Sequence, residues 1–201
     1  PPTDTDGLDD ALELKHGSDP LNMFSWPGDG IWPDRSDIAA SAGVDSSEYA
    51  YNTVFPDLTA SDRYGNDVSL YQFYGSVVLL DFSAGWCGAC KVVAEEAGPL
   101  WEEHRDAGFV VLHLMIDDWN NDEPDADFLG DWADEFGLDF PVLGMGDIDS
   151  VYYDLYTAGL NEGYIPYMLL LDSEMQLHEI YVGSGLEGTL TDRMETLLPE
   201  G

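Results

Sequence analysis

Basic side chains are scarce in this chain of 201 residues: six lysines and arginines stand against 41 aspartates and glutamates, for a formal net charge of -35. The phosphate backbone of DNA or RNA would repel such a charge, which excludes nucleic acid as a partner. An anionic membrane surface is unfavourable for the same reason. The acids are spread along the whole chain, which favours a solubility surface suited to a saline setting. The alternative is a docking face for a basic partner.

Long apolar runs are also missing from the chain. Stretches such as residues 77–80 and 168–171 are far shorter than the about 20 residues of a helix that crosses a bilayer, so no membrane span is expected. Residues 1–7 show neither the basic region nor the apolar region of a targeting peptide. Such a start also suits a mature exported chain whose signal peptide has been removed. Both interpretations stay open: a chain without a targeting peptide, and an exported chain that has lost one.

Cysteine is the third scarce residue, with only Cys87 and Cys90. A framework of structural disulfides is therefore excluded. A C-x-x-C pair can be half of a zinc site, but zinc needs two further nitrogen or sulfur ligands. No second pair exists, and the four histidines are scattered along the chain: His16, His104, His113 and His178. Redox chemistry is therefore favoured over metal binding at the cysteines.

Hydrophobic residues make up 44% of the chain, which is enough for a real core. Residues 1–52 are rich in Pro, Gly, Asp and Ser, and we expect an irregular N-terminal extension that lays Trp26 and Trp32 on the domain surface. Residues 53–201 form the main domain. There, apolar runs typical of buried strands alternate with helical patterns, and a hairpin and a last helix follow. This order predicts an α/β fold with a central mixed sheet flanked by helices.

The expected elements follow from apolar runs, periodicity and turn residues. Strands are expected at residues 57–59, 76–82, 109–116, 167–171 and 176–182. Helices are expected at residues 87–107, 126–136 and 188–198, with a short helical turn at 68–74.

The segment D-F-S-A-G-W-C-G-A-C-K carries the chemistry. A buried strand leads through small residues into a helix that opens at Cys87. The free N–H groups and the positive end of the helix dipole favour the thiolate at this position. Cys90 follows about one turn later on the same side, close enough for a disulfide. We therefore predict Cys87 as the attacking thiol and Cys90 as its more buried resolving partner.

The longer segment L-L-D-F-S-A-G-W-C-G-A-C-K resembles the active-site segment of thioredoxins, with Ala89 where thioredoxin has proline. The wider pattern is similar to the extracytoplasmic, TlpA-like group of thioredoxin-like proteins and, more distantly, to the peroxiredoxins. The other matching stretches occur in the expected order: P-D-L-T at 56–59, V-S-L-Y at 68–71, F-P-V-L at 140–143 and G-Y-I-P at 163–166. The resemblance spans Val54 to Leu198 and implies a thioredoxin fold.

The resemblance also implies a function: a protein-disulfide oxidoreductase that exchanges disulfides with client proteins and is served by a redox partner protein. It implies no cofactor, a monomer, and an extracytoplasmic, periplasmic or lipid-tethered location in a bacterium. Asp81 corresponds to a buried acid that accepts the proton of Cys90, and Pro166 to a cis-proline that faces the disulfide. The candidate client-binding residues are Trp86, Gly88, Ala89 and Ile165.

Several positions depart from the family pattern. Glu95 stands where thioredoxins have a helix-kinking proline, which leaves the bend of this helix open. Val93 stands where some cytochrome-maturation members have glutamate, which puts that specialised role in doubt. The acid-rich residues 117–127 lack the spacing of a calcium loop, so no calcium is predicted there.

Two alternative functions use the same cysteines. A peroxiredoxin-like peroxidase would place threonine three residues before its reactive cysteine, where this chain has Ala84. A copper carrier would use Cys87, Cys90 and a histidine such as His178, but copper carriers of this fold usually have C-x-x-x-C spacing. Both alternatives are therefore disfavoured by the sequence.

Overall fold

The computed structural model describes residues 2–186 and 188–199. A seven-stranded sheet with the order β2-β1-β5-β4-β3-β6-β7 forms its centre. The strands are β1 (Thr59–Asp62), β2 (Asp67–Ser69), β3 (Val77–Ala84), β4 (Phe109–Asp117), β5 (Val142–Gly144), β6 (Tyr167–Leu171) and β7 (Leu177–Val182). The helices are α1 (Asp10–His16), α2 (Ser36–Ser41), α3 (Gly88–His104), α4 (Ala126–Phe136), α5 (Ile148–Thr157) and α6 (Thr189–Leu197).

The inner strand β3 is buried along its whole length. It pairs in parallel with β4 and antiparallel with β6, so the sheet is mixed, as expected. A strand covered on both faces needs a nearly continuous apolar sequence, which explains the run V-V-L-L before the single charged residue Asp81.

Two successive crossovers place two helices on one face of the sheet. The connections β3–α3–β4 and β4–α4–β5 step in the same direction across the sheet, and right-handed crossovers then put α3 and α4 on the same side. The two helices do contact each other. The first turn of α3 thus lies at the C-terminal end of β3, and α4 packs beside α3 on the same face of the sheet.

Some expected elements differ from the structure. The predicted strand 57–59 begins at Thr59, and the predicted helical turn 68–74 is divided into β2 and a 3-10 helix, Leu70–Phe73. The short strand β5 and the helix α5 were not predicted. Three residues are too few for a periodic signal, and α5 contains only three buried residues.

The N-terminal extension is more closely attached than expected. Trp26 does not lie on the surface: it is 1% exposed and meets Phe73 edge to face. Its carbonyl accepts a hydrogen bond from Arg105 at 2.9 Å. Trp32 is partly buried, and its indole N–H donates to Asp62 at 2.8 Å. The segment also contains the short helices α1 and α2, because Asp9 caps one and a run of small residues forms the other.

Within the described residues, no helix combines the length and the apolar character that a bilayer crossing requires.

Candidate active site

The two cysteines lie at the junction between β3 and α3 and form a disulfide, with their Cα atoms 5.3 Å apart. Cys87 is the N-cap of α3, and its Sγ accepts from the backbone N–H of Cys90 at 3.2 Å. An N-terminal helix position supplies N–H groups that stabilise negative charge. When the disulfide is reduced, the same contact therefore favours a thiolate at Cys87.

The two sulfurs differ in exposure. Cys87 is 6% exposed, whereas Cys90 is fully buried. The residues that surround Cys87 in sequence, Trp86, Gly88 and Ala89, are exposed. Cys87 therefore lies beside an exposed surface formed by these three residues, while Cys90 is buried.

The loop that follows β4 fixes the turn before the cysteines. Gly85 donates its N–H to the carbonyl of Asp117 at 3.0 Å, and the indole of Trp86 donates to the carboxylate of Asp117 at the same distance. A Cβ on Gly85 would lie 2.7 Å from the carbonyl carbon of Asp118. Only glycine therefore lets the two backbone segments approach this closely.

A second chain segment faces the disulfide from β6. The Ile165–Pro166 peptide bond is cis, and Pro166 is buried just before β6 begins. Ile165 packs against the cluster that contains Cys87 and Cys90, together with Ile116 from β4. The neighbouring Tyr164 is 59% exposed, so the surface beside the disulfide is apolar and open.

Asp81 lies on the same side of the sheet as the cysteine helix, with a partner that the sequence did not reveal. It is fully buried and in register with His113 on the parallel strand β4. Oδ2 of Asp81 lies 2.7 Å from Nδ1 of His113, and Oδ1 accepts from the hydroxyl of Ser83 at 3.1 Å. The Nδ1–Oδ2 contact is electrostatic and not an aligned hydrogen bond, and neither atom has another hydrogen-bond partner.

Trp132 on α4 determines the tautomer of His113, that is, which ring nitrogen carries the proton. Its indole N–H donates to Nε2 of His113 at 3.0 Å, and the two rings stack. An indole nitrogen is only a donor, so Nε2 must accept and the imidazole proton must be on Nδ1. Nδ1 of His113 therefore carries a proton and lies in contact with the carboxyl group of Asp81, without an aligned hydrogen bond.

Aromatic contacts connect this buried group to the helix that carries the cysteines. Trp132 packs against Trp119 with ring centroids 5.1 Å apart, and the ammonium of Lys91 lies 4.7 Å from the centre of the Trp119 ring. Lys91 follows Cys90 directly in sequence. One sequence signal could have identified His113, since it is the single polar residue in the apolar run of β4 before the half-buried end of that strand.

The geometry gives no support to the copper alternative. His178 contacts Asp172 through Nε2 at 2.8 Å and Arg193 through Nδ1 at 3.2 Å, so both of its ring nitrogens are engaged.

The four arginines likewise contact groups other than the cysteines. Arg35 donates to Ser76, Arg63 pairs with Asp134, Arg105 donates to the carbonyl of Trp26, and Arg193 pairs with Glu179.

The AhpC/TSA family model matches residues 52–180. Among curated proteins, the thiol-disulfide oxidoreductase ResA of Geobacillus thermodenitrificans is 25% identical over 162 residues, which is 81% of this chain and 86% of the relative. A probable phospholipid hydroperoxide glutathione peroxidase of Mesembryanthemum crystallinum is 30% identical, but over only 46% of this chain and 56% of its own.

A solved structure is similar over most of the main domain. The thioredoxin domain of a thiol-disulfide oxidoreductase from Bacteroides vulgatus superposes with a TM-score of 0.60 at 23% identity, covering 76% of this chain and all of that domain. The thioredoxin fold expected from the sequence is thereby confirmed.

Proposed function

This chain belongs to the AhpC/TSA family, and on that premise we propose that it is a thiol–disulfide oxidoreductase that exchanges disulfides with client proteins. One observation carries the proposal: the Cys87–Cys90 disulfide lies at the start of α3 and faces the cis Ile165–Pro166 bond. The similarity to ResA supports the proposal, because it covers 81% of this chain and 86% of the relative.

The reaction proceeds through two thiol–disulfide exchange steps. The Cys87 thiolate attacks a client disulfide, which forms a mixed disulfide and releases one client thiolate. The Cys90 thiolate then attacks the Cys87 sulfur, which closes the Cys87–Cys90 disulfide and releases the second client thiolate. Two electrons pass from the protein to the client, and run in reverse the same steps oxidise a client dithiol.

Asp81 is the proposed acceptor of the Cys90 proton. It is buried on the face of the sheet that α3 covers, so solvent cannot easily remove that proton. A positioned carboxylate supplies the missing base. His113 is the proposed positioning residue, because its Nδ1 proton faces Asp81 and Trp132 holds its other nitrogen.

The client surface is proposed to consist of Trp86, Gly88 and Ala89 on one side of the disulfide and Ile165 on the other. Trp86 is 51% exposed although its indole N–H is bound to Asp117, so it offers a fixed apolar face. An extended client segment that pairs with the backbone of Ile165 would bring its sulfur to Cys87.

We further propose an extracytoplasmic bacterial location, a monomeric state and a separate redox partner protein. The similarity of the cysteine, F-P-V-L and G-Y-I-P segments to the TlpA-like group supports the location. Fractionation of cells that express the full-length precursor tests it, and purely cytosolic recovery without a processed N-terminus would contradict it.

A direct comparison of two substrates tests the function. The reduced protein is mixed either with a disulfide-bonded client protein or with hydrogen peroxide. Samples are quenched rapidly with acid and alkylated, and mass spectrometry of the protein itself follows oxidation of Cys87 and Cys90, because exchange with a client leaves the total number of free thiols unchanged. We expect oxidation by the client to be faster. Faster oxidation by peroxide would instead support the peroxidase function that the partial similarity to glutathione peroxidases raises.

A further inference from the structure

A group of acidic side chains near the N-terminus lies far from the cysteines in sequence. Asp4, Asp6 and Glu13 each direct a carboxylate oxygen toward the others, and these oxygens all lie within 4.8 Å of one another. Asp6 and Glu13 have no exposed surface. Clusters of acids are common on an exposed surface, but two fully buried carboxylates need a compensating group.

Among the described residues, no hydrogen bond or ion pair supplies such a group to Glu13. Both of its carboxylate oxygens lack a hydrogen-bond partner, as do one oxygen each of Asp4, Asp6 and Asp10. Arg35 is the nearby buried cation, and its charge interacts with those of Asp6 and Asp4, but its Nη2 donates to Ser76 at 3.2 Å and its guanidinium lies over the ring of Phe24. Among the described residues, neither Arg35 nor any other basic side chain forms an ion pair with these four acids.

The spacing of the acids matches most of a calcium-binding loop. The EF-hand pattern D-x-[DN]-x-[DN]-G-x5-E places ligands at loop positions 1, 3, 5, 7, 9 and 12, with glycine at position 6. Asp4, Asp6, Gly7 and Glu13 occupy positions 3, 5, 6 and 12 of that pattern. Position 1 falls on Pro2, which has no carboxylate.

The backbone agrees with this assignment. Gly7 has a φ of 85°, the left-handed conformation that the sharp turn of such loops requires. Helix α1 begins at Asp10, so Glu13 projects from the helix that follows the loop. Position 7 is Leu8, which would contribute its backbone carbonyl, and position 9 is Asp10, which would bind directly or through water.

We propose that residues 4–13 form a calcium site in which Asp4, Asp6 and Glu13 supply the carboxylate ligands. The donors are all oxygen, which selects a hard cation, and a buried carboxylate with two unpartnered oxygens is suited to the bidentate contact that calcium accepts. Magnesium is less suited, because it demands near-ideal octahedral geometry and retains its waters. The inference does not depend on the proposed redox function.

Backbone hydrogen bonds connect the proposed calcium loop to the main domain. The carbonyl of Asp6 accepts from the N–H of Asp34 at 2.8 Å, and the N–H of Arg35 donates to the carbonyl of Gln72 at 3.1 Å. The loop is thus joined through residues 34 and 35, just before α2, to the 3-10 helix whose Phe73 contacts Trp26. Calcium would therefore hold the N-terminal extension against the main domain.

Thermal melts of the whole chain test the proposal at about 0.15 M sodium chloride, where screening of surface charge is already substantial. Calcium at about 100 times its dissociation constant should raise the Tm of the chelator-treated wild type by about 5–10 °C. Glu13→Gln should remove this rise. The same variant should melt at or above the wild type in chelator, because it removes an unpaired buried charge, and below it in calcium.

Glu135→Gln is the matched control, since it makes the same chemical change at an exposed site on α4 and should leave the calcium response intact. An equal calcium response in wild type and Glu13→Gln would overturn the site and leave only general screening. An equal response of the wild type to magnesium would overturn the calcium assignment. If Glu13→Gln does not fold, equilibrium dialysis decides: one tightly bound calcium in the wild type and loss of it in Asp6→Asn support the site, and no bound calcium refutes it.

Discussion

At the scale of single residues, the opposite roles proposed for the two cysteines rest on their different burial. We expect Cys87→Ser to abolish disulfide exchange, since the proposed nucleophile is lost. We expect Cys90→Ser to form a stable mixed disulfide with a client, since nothing then resolves it. Non-reducing gels and mass spectrometry of the trapped species measure both outcomes, and a mixed disulfide through Cys90 in Cys87→Ser would reverse the assignment.

Asp81 and His113 should affect only the second exchange step, in which Cys90 attacks the mixed disulfide. Asp81→Asn removes the proposed proton acceptor of Cys90, so we expect closure of the Cys87–Cys90 disulfide to slow by about 10²-fold or more while the first attack on the client is little changed. Single-turnover measurements that separate the two steps check this. An equal loss in both steps would indicate general damage to the site.

The positioning role of His113 needs a separate comparison. His113→Leu should slow the closing step and alter its pH profile, because Asp81 loses the group that faces it. His113→Gln keeps a side chain that can donate to Asp81 and accept from Trp132, so partial rescue is expected. If both variants keep the wild-type pH profile, His113 has only a packing role.

The cysteine residues could be identified from sequence because their signal is local. A strand, a turn and C-x-x-C within one segment specify the motif without knowledge of the rest of the fold. The pairing of Asp81 with His113 depends on strand register, and the contact with Trp132 depends on the crossover of α4, which no local pattern contains. The acids of the N-terminal loop did have a readable spacing, but the missing first ligand concealed it.

At the scale of elements, the N-terminal extension is anchored by a side chain in the core. Trp26→Ala removes a fully buried indole and should lower the free energy of unfolding by about 3–5 kcal/mol. Trp86→Ala is the comparison, because that side chain is half exposed and its loss should change stability far less. Chemical denaturation measures both, and similar losses would mean that the extension contributes little to the fold.

The helices and strands of the main domain follow from apolar periodicity wherever an element is long. Helix α4 has exactly the predicted bounds because its buried residues recur at helical spacing over 11 residues. Strand β5 has three residues and obtains its pairing from β4 and β1, so tertiary contacts and not local sequence determine it. The extension was expected to be irregular because its Pro, Gly and Asp residues conceal two short helices.

At the scale of the whole molecule, the acids greatly outnumber the available cations. With 41 acidic and six basic residues, most carboxylates have no cationic partner. Partial desolvation, followed by the charges of Asp117 and Glu123, raises the pKa of Asp149. Backbone N–H groups of the loop, that of Asp122 first, lower the pKa of Asp118. Hydrogen bonds within its loop therefore stabilise the charged form of Asp118, whereas burial and neighbouring acids destabilise the charged form of Asp149.

We expect this repulsion to make stability depend on salt. In chelator at pH 7, raising sodium chloride to about 1 M shortens the Debye length to about 3 Å and screens the surface acids from one another. The compact state gains more from screening than the expanded chain, because its charges are closer together. A rise in Tm of about 4–8 °C would correspond to about 2 kcal/mol for a chain of this length. A Tm that does not change with salt would show that the acids are too well solvated to repel.

The same charges determine the sign of the pH dependence. Desolvation raises the pKa of Asp57, as it does that of Asp149, so the folded state binds these protons more tightly than the unfolded chain. The stabilisation from such groups is fully present below the ordinary aspartate pKa of about 3.9 and is lost as the pH rises through the higher folded values. At low salt, the Tm should therefore be higher at about pH 5 than at pH 7. About 1 M sodium chloride should reduce only the part of the difference that comes from repulsion by neighbouring acids, because salt screens charges but not desolvation. Melts at both pH values in chelator provide the measurement. A higher Tm at pH 7 would mean that carboxylates with lowered pKa values, such as that of Asp118, dominate the folded state.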